Sequence, residues 1–304
     1  MEYFIGIDGG GTRSRLAAID KNGTVIGRHT GGSTNITSET FEGVAANIKN
    51  LIAEFNANTN TTLQNCAAIC IGSAGASTGK NTKLLGQIFR NIGHKGALKI
   101  INDAELVLLA ATKGQPGIII ISGTGSVGYA TDKEGTTYRA GGWGHIIDDG
   151  GSGYRIGMDA IKSALLDYDG RGEKTILTKA VTEFFNQPTP DKVLGYIYGA
   201  SFQKAEIAKV AMLVSNAANQ GDNVSLAILQ QAANDLIALA HALMKKVPAG
   251  KIVISGSVIV QNKIVRTSFE KTIAEKYPHT QVVTMTEDAE LGAAHVAVRL
   301  QNMS

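Results

Sequence analysis

Cysteine is nearly absent from this chain: only Cys66 and Cys70 occur among its 304 residues. Both lie in the apolar run Cys66–Ile71, which is typical of a buried strand, and no third cysteine exists to complete a metal or iron–sulfur site. A strong net charge is also absent, because 29 Lys and Arg oppose 26 Asp and Glu, and no run of five basic residues occurs. These absences argue against a cluster-bearing protein and against a nucleic-acid or membrane partner.

Long apolar runs are missing as well. No apolar stretch approaches the length of about 18 residues that a membrane-spanning helix needs, and the first residues lack the basic-then-apolar pattern of an export leader. We therefore expect a cytoplasmic protein whose two thiols are reduced and structural. At 304 residues, with 43% apolar and 18% charged residues, the chain can form two globular domains, each with its own core.

What the chain does contain is an internal repeat of strand, glycine-rich turn, strand and hairpin turn. The first copy runs through Tyr3–Asp8, Gly9–Thr12, Arg13–Ile19 and Asp20–Thr24, and the second through Ile118–Ile121, Ser122–Ser126, Val127–Thr131 and Asp132–Thr136. Apolar β-branched runs bounded by glycine predict buried strands, and the Asp-Lys-x-Gly pieces predict hairpin turns. Two turns rich in glycine and threonine indicate two phosphate-binding loops that face each other across a cleft.

The second glycine-rich turn also satisfies a dinucleotide-binding pattern. Gly123–Gly128 reads Gly-x-Gly-x-x-Gly after a strand. That fingerprint needs a helix that opens in the turn, so that its N-terminus faces the pyrophosphate. Here Tyr129–Gly135 continues as strand and hairpin turn, so we reject the fingerprint. A nicotinamide oxidoreductase stays an alternative only through this failed pattern, and binding tests with ATP and NAD would decide it.

Strand and helix patterns alternate along the chain, which indicates an α/β protein with a mixed sheet. Helical periodicity covers Phe41–Phe55, Ala205–Ala218 and Val224–Val247, and a final helix begins near Asp288. The segment Gly114–Gly117 is the best break between domains, because it lies directly before the second copy of the repeat.

Two aspartates end predicted strands. Asp8 lies directly before three glycines, and it is either a turn-capping residue or a carboxylate that fixes Mg²⁺ through water beside phosphate-binding N–H groups. Asp103 follows the strand Leu98–Ile101 and precedes a helix. It is either the N-cap of that helix or the carboxylate that a phosphotransferase with two phosphate loops needs near the acceptor hydroxyl.

A glycine-rich stretch of the second half carries further candidates. Asp148 and Asp149 lie side by side in a loop, where either could enter a cleft or face solvent. Trp143, the only tryptophan, lies between Gly142 and Gly144. It is either a core residue or a rigid aromatic floor for a sugar or acyl group.

Taken together, these residues resemble the sugar-kinase, heat-shock-protein-70 and actin superfamily. Within it they most resemble the N-acetylglucosamine kinase family, which also contains the ATPase activators of benzoyl-CoA reductase. The resemblance covers essentially the whole chain, in parts that keep the family's order: Ile5–Thr12, Ser33–Asn35, Asn102–Ala104, Ser122–Ser126, Gly141–Gly144, Ser255–Val258 and Glu290–Ala294. It implies an α/β fold of two ribonuclease-H-like domains, as in actin-like ATPases, around an ATP cleft. The N-terminal domain would comprise 1–115 with the returning helix 288–304, and the C-terminal domain 116–287.

The same resemblance implies ATP and Mg²⁺ as cofactors and an amino sugar as the substrate. Asp8 would hold Mg²⁺ through water, and Asp103 would be the general base as well as a sugar contact. The residues implied in ATP binding are Gly10, Gly11, Thr12, Thr124, Gly125, Ser126, Gly256 and Ser257. The further residues implied or expected in sugar binding are Asn35, Thr124, Gly142, Trp143 and Asp149.

One departure from the family leaves the sugar open. The family's Gly-Asp-Glu-Gly-Ser reads Asp148–Ser152 here, with Gly150 in place of the second acid. We expect a smaller pocket wall there, so a kinase for the 6-hydroxyl of N-acetylglucosamine has alternatives that act on N-acetylmuramic acid or glucosamine. An activator ATPase without a sugar substrate would need cluster-binding cysteines, and a sugar-responsive repressor would need a DNA-reading domain before Ile5. We expect a homodimer, since the family tends to dimerise.

Overall fold

The computed structural model describes residues 2–36, 39–73, 76, 79–112, 115–200, 202–286 and 288–301. The chain divides into two compact units, unit 1 (Met1–Gln115 with Thr286–Ser304) and unit 2 (Pro116–Met285). The domains expected from the sequence place the first boundary after residue 115 as well, and the second after 287 instead of 285. The predicted break Gly114–Gly117 begins at a residue outside the described ranges.

Unit 1 is built on a mixed five-stranded sheet. Its strands are β1 (Tyr3–Gly9), β2 (Arg13–Ile19), β3 (Val25–Gly32), β4 (Cys66–Ser73) and β5 (Ala97–Ile101), in the order β3-β2-β1-β4-β5. The first three strands pair antiparallel, whereas β4 and β5 run parallel to β1. The helices of the described part of this unit are α1 (Phe41–Thr59), α2 (Gly79–Asn91), α3 (Asp103–Thr112) and the C-terminal α12 (Ala289–Gln301).

Both faces of this sheet are covered, because alternate side chains of β1 point to opposite sides. Ile5 and Ile7 lie in one buried cluster with side chains of α1 and α2, and Phe4 lies in another with side chains of α3 and α12. Gly6 lets α12 lie directly on the strand, since a Cβ there would meet the Glu290 carbonyl oxygen at 2.0 Å. The C-terminal helix therefore returns to unit 1, as the resemblance implies.

Unit 2 repeats the strand order of unit 1. Its strands are β6 (Gly117–Ser122), β7 (Ser126–Thr131), β8 (Thr137–Ala140), β9 (Lys251–Ser255) and β10 (Gln281–Thr284), in the order β10-β9-β6-β7-β8. Again the first three strands pair antiparallel and the last two run parallel to the first. The repeat found in the sequence is thus a repeat of a whole five-stranded sheet. The dinucleotide fingerprint was rightly rejected, because strand β7 follows the turn directly.

The helices of unit 2 lie mostly in one insertion between β8 and β9. They are α4 (Gly153–Tyr168), α5 (Leu177–Phe184), α6 (Leu194–Ile197), α7 (Lys204–Lys209), α8 (Ala211–Asn219) and α9 (Asn223–Met244), followed after β9 by α10 (Ser257–Gln261) and α11 (Lys263–Lys276). The single helix predicted over Ala205–Ala218 is wrong, since it divides at Val210. There the Val210 N–H bonds back by three residues to the Ile207 carbonyl oxygen, which tightens the turn around a fully buried valine.

Helix α9 is long and apolar enough, by length and composition, to cross a membrane. A buried helix of a globular core passes the same test. In unit 2, Leu229, Leu236, Ala240 and Leu243 of this helix belong to the main hydrophobic cluster. The length and hydropathy of α9 are therefore explained by its packing.

Both cysteines lie in β4 as predicted, and both are free and buried. Burial raises the pKa of each thiol to about 12. At pH 8 the reactive thiolate then amounts to only about 10⁻⁴ of each group, because thiolate rather than thiol is the nucleophile. We expect iodoacetamide at pH 8 to label neither cysteine in the folded protein and both in denaturant, as measured by intact mass. Rapid labelling of the folded protein would contradict this expectation.

Candidate active site

The first group of predicted site residues lies at one edge of the sheet of unit 1. Strands β1, β4 and β5 are parallel, so their carboxyl ends meet there, and ligands of open α/β sheets bind outside such ends. The register pairs Asp8 with Gly72 and Gly72 with Ile101. Asp103 follows Ile101 by two residues as the first residue of α3. The fold of unit 1 therefore brings Asp8 and Asp103 to the same edge, with only β4 between their strands.

The turn after β1 is closed and packed against a second loop. The Gly10 N–H donates to the Arg13 carbonyl oxygen at 3.1 Å. A Cβ on Gly9 would lie 2.2 Å from Thr34 Oγ1, so only glycine lets the two loops approach this closely. Gly11 and Thr12 are exposed. The predicted first phosphate turn is thus closed by a hydrogen bond, and its backbone at Gly11 and Thr12 is accessible to solvent.

Asn35 reaches this turn because the loop that carries it is fixed at several points. Thr34 accepts hydrogen bonds from Ser14 Oγ on its hydroxyl, at 3.0 Å, and from Ser73 Oγ on its carbonyl oxygen, at 2.8 Å. Ser33 Oγ donates to the Gly10 carbonyl oxygen at 3.3 Å. As a result the side-chain amide nitrogen of Asn35, Nδ2, lies 3.6 Å from where Gly11 would carry a Cβ. A predicted sugar contact and a predicted phosphate contact are therefore neighbours.

Asp8 takes part in a chain of charges that the sequence did not reveal. Its side chain is 17% exposed, and its Oδ2 accepts from Arg15 Nη2 at 2.9 Å. Arg15 Nε lies 3.9 Å from Glu290 Oε2 on α12, and Arg28 Nη1 contacts Glu290 Oε1 at 3.1 Å. Arg15 could have been found from the hairpin register, because it is the direct cross-strand partner of Asp8. Glu290 is separated by almost the whole chain.

Asp103 is not the N-cap of helix α3. That role belongs to Asn102, whose Oδ1 accepts from the Glu105 N–H at 2.7 Å, while its carbonyl oxygen accepts from the Leu106 N–H. Asp103 is exposed at the start of the helix. The alternative that Asp103 is the N-cap of α3 is therefore wrong, because Asn102 has that role.

The second glycine-rich turn, in unit 2, is held by the loop that follows β8. Ser122 Oγ donates to the Gly151 carbonyl oxygen and Ser126 Oγ to that of Gly150, both at 2.7 Å. The Gly153 and Tyr154 N–H groups donate back to the carbonyl oxygens of Gly123 and Thr124, at 2.8 and 3.2 Å. Thr124, Gly125 and Ser126 thus lie in a turn that is cross-braced by loop 149–153.

Asp149 lies against this turn and is bound by a lysine from the helical insertion. Asp149 is 4% exposed and has a positive φ of 65°, which is uncommon for a residue other than glycine. Lys204 Nζ, at the start of α7, donates to Asp149 Oδ2 at 2.6 Å. The sequence predicted Asp149 but missed Lys204, which carries no motif and lies 55 residues further along the chain.

The space beside Gly150 is not empty. A Cβ there would lie 2.9 Å from Asp235 Oδ2 of helix α9. A carboxylate of another element therefore lies beside the position where the eukaryotic-type kinases of the family carry an acid. The smaller pocket wall at Gly150 stays a prediction.

Trp143 is exposed, not part of the core: 65% of its surface is accessible. The Arg139 guanidinium lies 4.4 Å from the centre of its ring and also donates to the carbonyl oxygens of Gly141 and Gly142. Gly142 has a φ of 71°, and a Cβ there would meet Val127 Cγ2 at 2.7 Å, so the loop requires glycine. The core alternative for Trp143 is wrong, and the ring is held as an accessible apolar face.

A cavity of about 690 Å³ within unit 2 begins at the second turn. Gly256 has a φ of 95°, and a Cβ on it would clash with the Ser122 carbonyl oxygen at 2.3 Å, so this glycine brings α10 against the turn. The walls are mostly apolar, with amides, hydroxyls and two lysines between them: Gly123, Thr124, Gly153, Ile156, Ala205, Ala208, Lys209, Ala211, Met212, Ser215, Asn219, Ser257, Val258, Gln261, Asn262, Lys263 and Ile264. This volume and lining are typical of a small-molecule or nucleotide site.

The donor groups fit a magnesium ion that is bound mainly by nucleotide phosphates. The described residues contain no group of three or more His, Cys, Asp or Glu side chains that could hold a metal ion alone. Mg²⁺ in phosphoryl-transfer sites uses one or two carboxylates, water and substrate phosphates. Asp8, beside the first turn, supplies a carboxylate of that kind.

Comparison with known proteins identifies the family of this chain. A model of the BadF/BadG/BcrA/BcrD ATPase family matches residues 5–297. The chain belongs to this family. The resemblance found in the sequence is confirmed by this match.

Two relatives match the chain over nearly its full length. It is 38% identical to an N-acetylmuramic acid/N-acetylglucosamine kinase of Clostridium acetobutylicum, over 98% of each chain. It is 32% identical to an N-acetyl-D-glucosamine kinase of Dictyostelium discoideum, again over 98% of each chain. A crystal structure from Chromobacterium violaceum, assigned as an N-acetylglucosamine kinase, superposes with a TM-score of 0.75 at 27% identity and covers 99% of both chains. The predicted fold of two actin-like ATPase domains is confirmed.

Proposed function

We propose that this ATPase-family member is a kinase that transfers the γ-phosphoryl group of ATP to the 6-hydroxyl of an amino sugar, with N-acetylglucosamine as the first candidate. The observation that carries the proposal is the placement of Asp103. It is exposed at the sheet edge that also holds Asp8 and the first phosphate turn, and the capping of α3 is done by Asn102. The names of the two full-length relatives support an amino sugar as acceptor.

The reaction then uses the site residues as follows. The sugar 6-oxygen attacks the γ-phosphorus, the bond from this phosphorus to the bridging β–γ oxygen breaks, and ADP leaves with the electron pair. Asp103 accepts the hydroxyl proton as the new bond forms. The backbone of Gly10–Thr12 and of Thr124–Ser126 contacts the phosphates, and Gly256 with Ser257 borders the adenosine. Mg²⁺, when bound with the nucleotide, offsets phosphate charge, and Asp8 is the residue that holds it through water.

The amino sugar is recognised by residues near both turns. Asn35, beside Gly11, and Asp149, beside Gly125, supply hydrogen-bonding groups, with Thr124 and Gly142 as further contacts. Trp143 offers its accessible ring to the sugar or its acyl group. N-acetylmuramic acid, which one relative's name includes, and glucosamine are the alternative acceptors.

An activator ATPase without a sugar substrate is the candidate from another class. The family name includes such proteins, but Cys66 and Cys70 are both buried in one strand. Their thiols cannot share a cluster with a second subunit unless the sheet opens. We further propose that the enzyme acts as a cytoplasmic homodimer.

A coupled assay of ADP release tests the function. It compares N-acetylglucosamine, N-acetylmuramic acid, N-acetylmannosamine, glucosamine and glucose at equal concentration, with ATP and Mg²⁺. We expect release that depends on an amino sugar and a product with phosphate on carbon 6, which ³¹P and ¹³C NMR identify. ADP release that is independent of sugar would favour the activator ATPase, and phosphate on carbon 1 would refute the proposed acceptor.

A further inference from the structure

Lys204 places a positive charge on the second phosphate turn. Its Nζ lies 3.2 Å from the point where Gly125 would carry a Cβ, and Asp149 Oδ2 lies 3.1 Å from the same point. Residue 125 is glycine, so no side-chain atom of this residue separates the ammonium group of Lys204 from the turn. The lysine side chain is 31% exposed, so a ligand on the turn can reach it.

The position of Lys204 relates it to the phosphate end of the cavity in unit 2. Lys204 begins α7, and Ala205 and Ala208 of the same helix line the cavity together with Gly123 and Thr124. Gly125 follows Thr124 and extends the turn beyond the lining residues. If the base of a nucleotide occupies the apolar part of the cavity, phosphates that extend along the turn reach Gly125 and Lys204.

The hydrogen bond to Asp149 positions the ammonium group of Lys204 but does not use all of its N–H donors. A lysine has three N–H donors, and the hydrogen bond to Asp149 Oδ2 uses one of them at 2.6 Å. The Tyr154 ring lies 5.7 Å from Nζ, within the distance of a cation–π contact. A buried ion pair adds little to stability on its own, since desolvation offsets the attraction. A positive φ at Asp149 adds strain, which is typical of functional positions.

We propose that Lys204 donates to a non-bridging oxygen of the γ-phosphate of ATP and that Asp149 is the positioning residue for its ammonium group. This inference rests on the proposed phosphoryl transfer. Negative charge is spread over the γ-phosphate oxygens during transfer, and a positioned cation stabilises it. Asp149 then has a role in addition to its predicted contact with the sugar.

The test compares two nucleotides in the absence of sugar. Lys204→Met should weaken binding of Mg²⁺ with AMPPNP, the non-hydrolysable ATP analogue, by roughly tenfold to a hundredfold, as for the loss of a charge-assisted hydrogen bond. Binding of ADP should change by less than about threefold, because ADP lacks the γ-phosphate. Isothermal titration calorimetry measures both affinities. Equal weakening of AMPPNP and ADP would overturn the proposal.

Lys174→Met is the matched control. Lys174 also pairs with a buried aspartate of unit 2, Asp167, at 2.9 Å, and among the described residues of unit 2 it has no contact with the second phosphate turn. We expect the ratio of AMPPNP to ADP affinity to stay at the wild-type value in this variant. A ratio that falls as far as in Lys204→Met would also contradict the proposal, since any lost lysine pair would then have the same effect.

A double variant separates γ-phosphate binding from neutralisation of Asp149. Lys204→Met leaves a buried carboxylate unpaired, and Asp149→Asn with Lys204→Met removes that charge as well. If Lys204 binds the γ-phosphate, the double variant keeps the selective loss of AMPPNP affinity. If wild-type AMPPNP affinity returns, the lysine only neutralises Asp149 and the proposal fails. The sugar-dependent ADP assay is independent of this result, so the two proposals can fail separately.

Discussion

The Asp8→Ala enzyme should lose turnover by about 10³-fold or more. A positioned metal ion contributes several kcal/mol to the transition state of phosphoryl transfer, and each 1.36 kcal/mol is about tenfold in rate. Asp8 is the carboxylate at the first glycine-rich turn, directly before the Gly9–Thr12 backbone that we propose binds phosphate. Raising the Mg²⁺ concentration should rescue little, because the ion must be held in place and bulk screening does not do this. Steady-state kinetics at varied Mg²⁺ measure the effect.

The fold should survive this substitution. The Asp8–Arg15 pair is the bond that alanine removes, and Arg15 is nearly half exposed, so such a pair contributes about 0–1 kcal/mol to stability. Arg15 keeps Glu290 as a neighbouring acid. Asp288→Ala is the control, because it removes an exposed acid from the same chain of charges, at Arg28, and should leave turnover unchanged. Turnover of Asp8→Ala close to wild type at ordinary Mg²⁺ would refute the assignment.

The sheets and turns could be predicted because their signals are local. The strands of the repeat are continuous apolar runs, and the glycine-rich stretches Gly9–Thr12 and Gly123–Gly125 predict the turns between them. Asp8 and Asp103 could be singled out because each lies at the end of a predicted strand, and carboxyl ends of parallel strands meet at one edge of a sheet. The positions of Asn35 and Trp143 came from the resemblance and from residue type. The structure adds that both lie beside glycine-rich loops.

Contacts between distant segments could not be read from the sequence. Lys204 lies in a helical insertion without a motif, and its bond to Asp149 depends on how α7 packs on the second turn. Asp235, in the middle of α9, lies beside Gly150, and nothing near Gly150 in the sequence indicates this neighbour. Glu290 meets Arg15 because α12 returns to the first sheet. Each of these contacts is decided by tertiary packing, for which a single sequence has no periodic signal.

The choice between Asn102 and Asp103 as helix cap shows a different limit. Both residue types cap helices well, and they are neighbours, so the decision depends on where the first helical turn begins. The hydrogen bond from the Glu105 N–H to Asn102 Oδ1 settles this point. It also changes what a substitution of Asp103 can test, because a loss of capping no longer enters the result.

Asp103→Asn should lower turnover by about 10²–10⁴-fold, which is the usual contribution of a general base. Asparagine keeps the shape and most of the hydrogen-bonding reach of aspartate, but it cannot accept the proton of the sugar 6-hydroxyl as that oxygen attacks phosphorus. ATP affinity should stay within about threefold of wild type, and sugar affinity should weaken modestly, since the same carboxylate orients the hydroxyl. Single-turnover kinetics with N-acetylglucosamine, together with titration of each substrate, measure these effects.

A stability measurement completes the test of Asp103. Asn102→Ala, which removes the cap, should lower the free energy of unfolding by about 1 kcal/mol. Asp103→Asn keeps the shape of the side chain, and loss of its charge at the helix N-terminus should cost about 0.3–1 kcal/mol. The two variants therefore separate the neighbours: one acts mainly on unfolding in denaturant, the other mainly on turnover. If Asp103→Asn turns over within about tenfold of wild type while the protein stays folded, proton transfer does not use Asp103, because a general base at this position contributes at least about 10²-fold.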